Sequence, residues 1–372
     1  MTHSYPKQPP LKIAINGFGR IGRNVLRALL ERQLLSTNDA SCPLELVAIN
    51  DLADANTKLH LLKFDSTHGR LSQQGIHASL SKTGNLHLQK LDKQHRQFNH
   101  AHGIVNIIDI PLLQHASPKE LPWQQLGVDV VLECTGQFRS YADANLHRQA
   151  GATQVIVGAA PFDYVDASVV MGINEMILTR QLPIISSVSC TTQALVPLID
   201  TLHQAYGVTA VMMTEIHALT ADQNVLDQAH RDLRRARASG FNIIPTTSSS
   251  LAATERVLPY MVGKINGHSI RVPTIDVAAI DVTFQLAQIS TPDKINQTLK
   301  SASLDKLSGI MGYSDAPLVS SDFFHQPQSL IVDALQTMQV GDMIKVFAWY
   351  YNEWGYANRL VDMCVYLASL SH

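Results

Sequence analysis

Long apolar runs are missing from this chain of 372 residues: nowhere do about 18 apolar residues follow one another, so no membrane-spanning helix is expected. The opening MTHSYPKQPP is polar and proline-rich and lacks the apolar core of a signal peptide, which predicts a cytoplasmic protein. Cysteine is scarce as well. Cys42, Cys134, Cys190 and Cys364 stand far apart, without a CxxC or Cys/His ligand spacing, so neither a disulfide framework nor a zinc site is expected. The 16 histidines are scattered singly through polar stretches such as HRQFNHAHG and read as solvated loop residues, not as metal ligands. A formal net charge of -2 provides no basic footprint for nucleic acid, leaving small anions held by local clusters. What is present is ordinary for a globular enzyme: 45% hydrophobic and 16% charged residues, over a length that favours two domains.

The stretch LKIAINGFGRIGRNVLRALLE begins with β-branched and alternating residues, passes a glycine turn, and continues with apolar residues at helical spacing. In this strand, loop and helix, Gly17, Gly19 and Gly22 form GxGxxG. The first glycine allows the tight turn, the second a close backbone approach to a pyrophosphate, and the third close helix packing, with the helix N-terminus facing the phosphates. A second strand, LELVAIN, ends at Asp51. An acidic residue there suits a ribose 2′-hydroxyl and repels a 2′-phosphate, although aspartate is also a favoured N-cap for the next helix. The separation of Asp51 from the glycines is longer than usual, which the polar insert STNDASCP at 36–43 accounts for. Further strands, VDVVLECTG and ATQVIVGAA, continue the alternation of a doubly wound sheet and direct Thr135 and Gly136 toward a cofactor cleft.

In the second half, LPIISSVSC leads into TTQALVPLIDTLHQAYGV, so that Cys190 falls at a helix N-terminus. There the helix dipole favours a thiolate, and a thiol pKa below the free value is expected. The strand VTAVMMTEIHAL ends at His217, one helix and one strand later, a topology that can bring an imidazole to a nucleophilic sulfur. Hydroxyls and a guanidinium suited to phosphate follow: Thr220 and Asp222, the loop IIPTTSSS, and Arg271 in IRVPT. By composition alone, TTSSS equally fits a plain flexible loop.

Taken together, INGFGRIGR, INDLAD, HLLKFDSTHGR, ECTG, SCTT, HALTADQ, HRDLRRARA, NIIPT, RVPT and YNEWGYANR resemble, in order, the phosphorylating glyceraldehyde-3-phosphate dehydrogenase family with its sister group, the erythrose-4-phosphate dehydrogenases. The resemblance implies an α/β chain: an N-terminal Rossmann domain (1–188, completed by a C-terminal helix 353–372) and an α+β catalytic domain (189–352) with a mostly antiparallel sheet. It implies NAD as cofactor, Cys190 as the nucleophile that carries a thioester, His217 as base, and a homotetramer lined by the segment 219–242. By the same resemblance Arg20 and Ile21 support the pyrophosphate, Asp51 the adenosine ribose and Asn352 the nicotinamide carboxamide. Thr220, Asp222 and Arg271 match the site for the phosphate of a phosphorylated small aldehyde, and Ser189, Thr191 and Ser248 the site for attacking inorganic phosphate. The chain departs from the family pattern at Gln193, Ala194, Ser249, Tyr351 and Ala229. The triose substrate is favoured by Thr220. Segments such as RVPTIDVAAIDV look like the tetrose group, whose members supply a pyridoxal phosphate precursor, and the departures admit a catalytically idle paralogue.

Overall fold

The computed structural model describes residues 9–35, 42–91 and 104–370. Most of the polar insert at 36–43, and the histidine-rich stretch at 95–103, lie outside the described residues. The chain forms two compact units, one comprising the residues up to Ala167, Leu178–Ser186 and the residues from Leu360 on, the other Ser168–Ile177 and Ser187–Arg359.

In the first unit five parallel ladders join Ile184–Ser186, Gln154–Val157, Val130–Glu133, Leu11–Asn16, Leu44–Asn50 and Leu112–Leu113 in that order. The strand Leu11–Asn16 lies inside the sheet, with Ile13, Ala14 and Ile15 wholly buried, as expected where both faces are covered. Its neighbours are the second strand on one side and Val130–Glu133 on the other, so strand order reverses beside it and opens a crevice at the carboxyl ends. The helix Arg20–Glu31 follows, burying Val25, Leu26, Ala28 and Leu29 on one stripe. A three-stranded antiparallel sheet, Ile76–Leu80, Leu86–Leu91 and Ile104–Ile110, interrupts the alternation. The chain's C-terminal turns belong to this unit through an Arg32–Asp362 ion pair at 2.8 Å and an Arg180 Nε–Leu367 carbonyl hydrogen bond at 3.2 Å.

The glycine triplet takes its form from contact distances. Gly17 has φ +94°, and a Cβ on it would come within 2.6 Å of the Thr135 nitrogen. A Cβ on Gly22 would stand 2.0 Å from the Gly17 carbonyl oxygen, whereas one on Gly19 would meet nothing within 4 Å. Packing thus requires two of the glycines, and the third leaves room for something to approach the loop. Gly22→Ala should cost about 3 kcal/mol because backbone, not a flexible side chain, must yield. A lowered urea midpoint together with weakened NAD binding would check this, and an unchanged midpoint would contradict it.

The second unit is built on a sheet ordered Ile244–Thr246, Ile265–Arg271, Val208–His217, Ala278–Leu286, Met343–Tyr350, Leu330–Val340, Met311–Ser314. Four of its six ladders are antiparallel and two parallel. The helix Cys190–Tyr206 packs Leu195, Leu198, Ile199 and Leu202 into the core formed with Val282, Phe284, Val346 and Ala348. Along Val208–His217 the inward positions are Val211, Met213, Glu215 and His217, the period of two that a half-buried strand requires. Its last two inward residues are therefore polar.

Candidate active site

Cys190 opens its helix, and the residue before it, Ser189, is the N-cap: the Ser189 Oγ accepts from the Thr192 N–H at 3.0 Å. The turn into the helix is strained. Val188, β-branched, has φ +49°, and the Tyr356 hydroxyl donates to its carbonyl at 3.0 Å, helping to hold it there.

His217 ends the neighbouring strand and brings Nε2 to 3.6 Å from the Cys190 Sγ. Its Nδ1 lies 2.6 Å from the Ala218 carbonyl oxygen, which can only accept, so Nδ1 carries the proton and Nε2 faces the sulfur with a free lone pair. Burial, with help from the Arg271 charge, holds the imidazole down to about 4 against the opposing pull of Glu215. The thiol behaves contrary to the expected depression: burial and then the Glu215 carboxylate push Cys190 up to about 12, against Arg271 and the Thr191 hydrogen bonds. A helix terminus contributes about 1 kcal/mol, less than burying a thiolate costs. The resting pair is thus a neutral thiol facing a neutral imidazole, poised for transfer of one proton.

Arg271 sits opposite His217 in the parallel register of the two strands. Its guanidinium is buried, Nη2 is 3.9 Å from Glu215, and Nε and Nη1 have no hydrogen-bond partner among the described residues. A buried cation with two idle donors suits an anion. Thr220, Asp222 and Ser248 belong to a more exposed cluster. Thr220 donates to Gln223, and Asp222 pairs with Arg235, whose Nε also reaches the Thr246 Oγ1 at 2.9 Å, two residues before Ser248. Partial burial works against Asp222, but the hydrogen bond and charge of Arg235 prevail and lower its pKa. Thr191 differs from its expected place: its hydroxyl is buried, donates to Glu215 at 3.0 Å and meets the Tyr350 hydroxyl at 2.8 Å, leaving its proton unavailable to a phosphate.

On the nucleotide side, the N–H groups of Arg20 and Ile21 lie in the first turn of a helix whose cap, Gly19, supplies no side chain. The Arg20 side chain, in contrast, is turned to Asp65 and Thr67, each at 2.5 Å. Asp51 does not cap the next helix, which Asp54 caps. Its carboxylate accepts from the Phe18 N–H at 2.7 Å and the Ala53 N–H at 2.9 Å, which pins it beside the glycine loop. Thr135 bonds to the Glu133 carboxylate, and Gly136 takes φ +72°. Beneath them runs a buried polar network that sequence reasoning missed. Trp123 Nε1 donates to His147 Nδ1, His147 Nε2 donates to Glu133, and Glu133 also accepts from Asn16. In the second unit Asn352 is buried and its Oδ1 has no partner among the described residues. Open space at Gly19, two N–H groups at an uncapped helix start and a carboxylate pinned beside the loop at Asp51 are what a dinucleotide would occupy, so the residues of the first unit fit NAD.

Of the departures from the motif pattern, Gln193, Ala194 and Tyr351 are accommodated in packing, whereas Ser249 and Ala229 are exposed. Gln193 donates to the Val169 and Ser187 carbonyls, Ala194 is core, and the Tyr351 ring meets Phe324 edge-on at 5.7 Å.

Comparison with known proteins decides the lineage. The glyceraldehyde 3-phosphate dehydrogenase C-terminal domain matches residues 189–352, and the NAD binding domain of the same family matches 11–90 and 75–141. Glyceraldehyde-3-phosphate dehydrogenase of Geobacillus stearothermophilus is 42% identical over 361 residues, 96% of this chain and 98% of the relative. Glyceraldehyde-3-phosphate dehydrogenase 1 of Bacillus subtilis and the Pseudomonas aeruginosa enzyme are also 42% identical, each over 96% of this chain and 98% of theirs. The chain belongs to the glyceraldehyde-3-phosphate dehydrogenase family. Within that family, Glu215, Tyr350 and Arg235 are the site neighbours that motif reading overlooked. Glu215 was within reach, because a period of two puts it on the same face as His217.

Proposed function

We propose that the chain catalyses the NAD-dependent, phosphorylating oxidation of glyceraldehyde 3-phosphate to 1,3-bisphosphoglycerate. The carrying observation is the 3.6 Å approach of His217 Nε2 to Cys190 Sγ with Nδ1 locked on a carbonyl. Nε2 takes the thiol proton as Sγ bonds to the aldehyde carbon, giving a thiohemiacetal. The imidazolium returns that proton to the alkoxide oxygen, and His217, neutral again, accepts the hydroxyl proton as hydride leaves that carbon, so that a thioester remains on Cys190. Bound NAD supplies the hydride acceptor. Inorganic phosphate attacks the thioester carbon, and the departing sulfur recovers its proton from His217. Arg271, with two idle donors, and the Thr220/Asp222 cluster are assigned to the substrate phosphate. Ser189 and Ser248 are assigned to the attacking phosphate, with Thr191 serving only through its backbone. Gly17, Gly19, Arg20, Ile21, Asp51, Thr135, Gly136 and Asn352 are assigned to NAD.

The exposed apolar side chains Val225, Leu226, Leu233, Phe241 and Ile243 support assembly into a homotetramer, where such a patch would be covered. Among the described residues no helix is long and apolar enough to cross a membrane. The deciding assay is NADH formation with glyceraldehyde 3-phosphate and with erythrose 4-phosphate, each with and without phosphate. Faster, phosphate-dependent turnover of the triose is expected. Faster, phosphate-independent turnover of the tetrose would overturn the assignment.

A further inference from the structure

A buried carboxylate next to a thiol nucleophile is a poor neighbour for a thiolate, which makes Glu215 the least explained group in the second unit. Its Oε1 accepts from Thr191 at 3.0 Å and stands 3.8 Å from His217 Nε2 and 3.9 Å from Arg271 Nη2. Its Oε2 is buried without a hydrogen-bond partner among the described residues. Nothing about packing demands a charge on this strand, because Val211 and Met213 fill the preceding inward positions with apolar side chains. The carboxylate stands where desolvation makes a charge costly, and its neighbour at Nε2 is a group that becomes cationic during turnover.

We infer that Glu215 is the counter-ion of the imidazolium formed on His217, a positioning residue that retains the abstracted proton on Nε2 for the lifetime of the thioester. The geometry separates the two halves of the usual base–orienter pair. A carbonyl fixes the tautomer through Nδ1, so the carboxylate is free to act from the Nε2 side, where the proton arrives. One proton passes from the thiol to Nε2, on to the alkoxide oxygen as the thiohemiacetal forms, and back to Nε2 as hydride leaves, with no net gain or loss of electrons at Glu215. The other groups facing this cluster are Cys190 and Thr191 on the helix, Arg271 on one flanking strand and Tyr350 on a further strand. Arg235 adds a positive charge that disfavours the imidazolium. Arg271 and Arg235 therefore oppose the cation on His217, and Glu215 is the anion that opposes them. In keeping with this role, Glu215 raises both the imidazole and the thiol.

The inference rests on the proposed reaction, and it predicts effects of opposite sign in one variant. Glu215→Gln keeps an acceptor for Thr191 and removes the charge. Iodoacetamide alkylation of Cys190 between pH 7 and 10 should become about tenfold faster, since the thiol is no longer held up by a neighbouring anion. Single-turnover hydride transfer in the NAD-loaded enzyme should become about tenfold slower, since the imidazolium has lost its counter-ion. KM for the phosphorylated aldehyde should not rise, because Arg271 loses a competing carboxylate. Glu215→Asp, which keeps the charge but withdraws it, should lie between the two. Alkylation and hydride transfer that are both unchanged, or both slowed, would overturn the inference. Should E215Q not fold, E215D decides alone: alkylation about twofold faster supports the counter-ion, and an unchanged rate refutes it. Absence of NADH formation by the wild type would instead refute the reaction, while the alkylation arm still reports on the charge.

Discussion

Replacing His217 by glutamine should lower kcat about 10³-fold and leave KM nearly unchanged, the signature of an interaction made only in the transition state. The amide is close in size to the imidazole and cannot take a proton. Without an internal acceptor, Cys190 must ionise to solvent. With its thiol pushed up to about 12 by burial and Glu215, only about one molecule in 10⁵ is thiolate at pH 7. The pH profile follows from the signs. His217 is held down to about 4, so it is a free base across the neutral range, and wild-type activity should fall on the acid side only as pH drops through about 4. In the variant that limb should disappear, and rate should climb with pH through 9 as hydroxide replaces the imidazole. Stopped-flow hydride transfer from pH 4 to 9 measures both. A variant within tenfold of the wild type would remove His217 from the chemistry.

The same pair shows where sequence reasoning succeeded and where it stopped. GxGxxG between a strand and a helix, and a cysteine at a helix start, were legible because each is a local pattern with one physical use. The three-stranded insert was not, because alternation in LHLQKL and β-branched residues in IVNIIDI mark strands without saying which strand each pairs with. The thiol was misjudged for a related reason. A helix N-terminus is visible in the sequence, but burial and the approach of Glu215 from another element are not, and desolvation outweighs the dipole. The motifs drew attention to Arg20 and Thr191, but their side chains turn to Asp65 and Glu215, choices made by neighbours 45 and 24 residues away.

Arg271→Ala should lower kcat/KM for glyceraldehyde 3-phosphate by about 10²–10⁴-fold, from loss of two charge-assisted hydrogen bonds at about 1.5–3 kcal/mol each. The guanidinium is buried with Nε and Nη1 unpaired, so its desolvation has already been met by the fold and an arriving phosphate collects the full interaction. Glyceraldehyde without its phosphate is the control: it offers Arg271 no anion, and its kcat/KM should change less than about threefold. Arg271→Lys should recover only part of the loss, because a single ammonium cannot reproduce a planar fork. If both aldehydes lost activity equally, the effect would come instead from the Glu215 carboxylate left 3.9 Å from a vacated position, and Arg271 would serve the proton-transfer pair instead of the substrate phosphate.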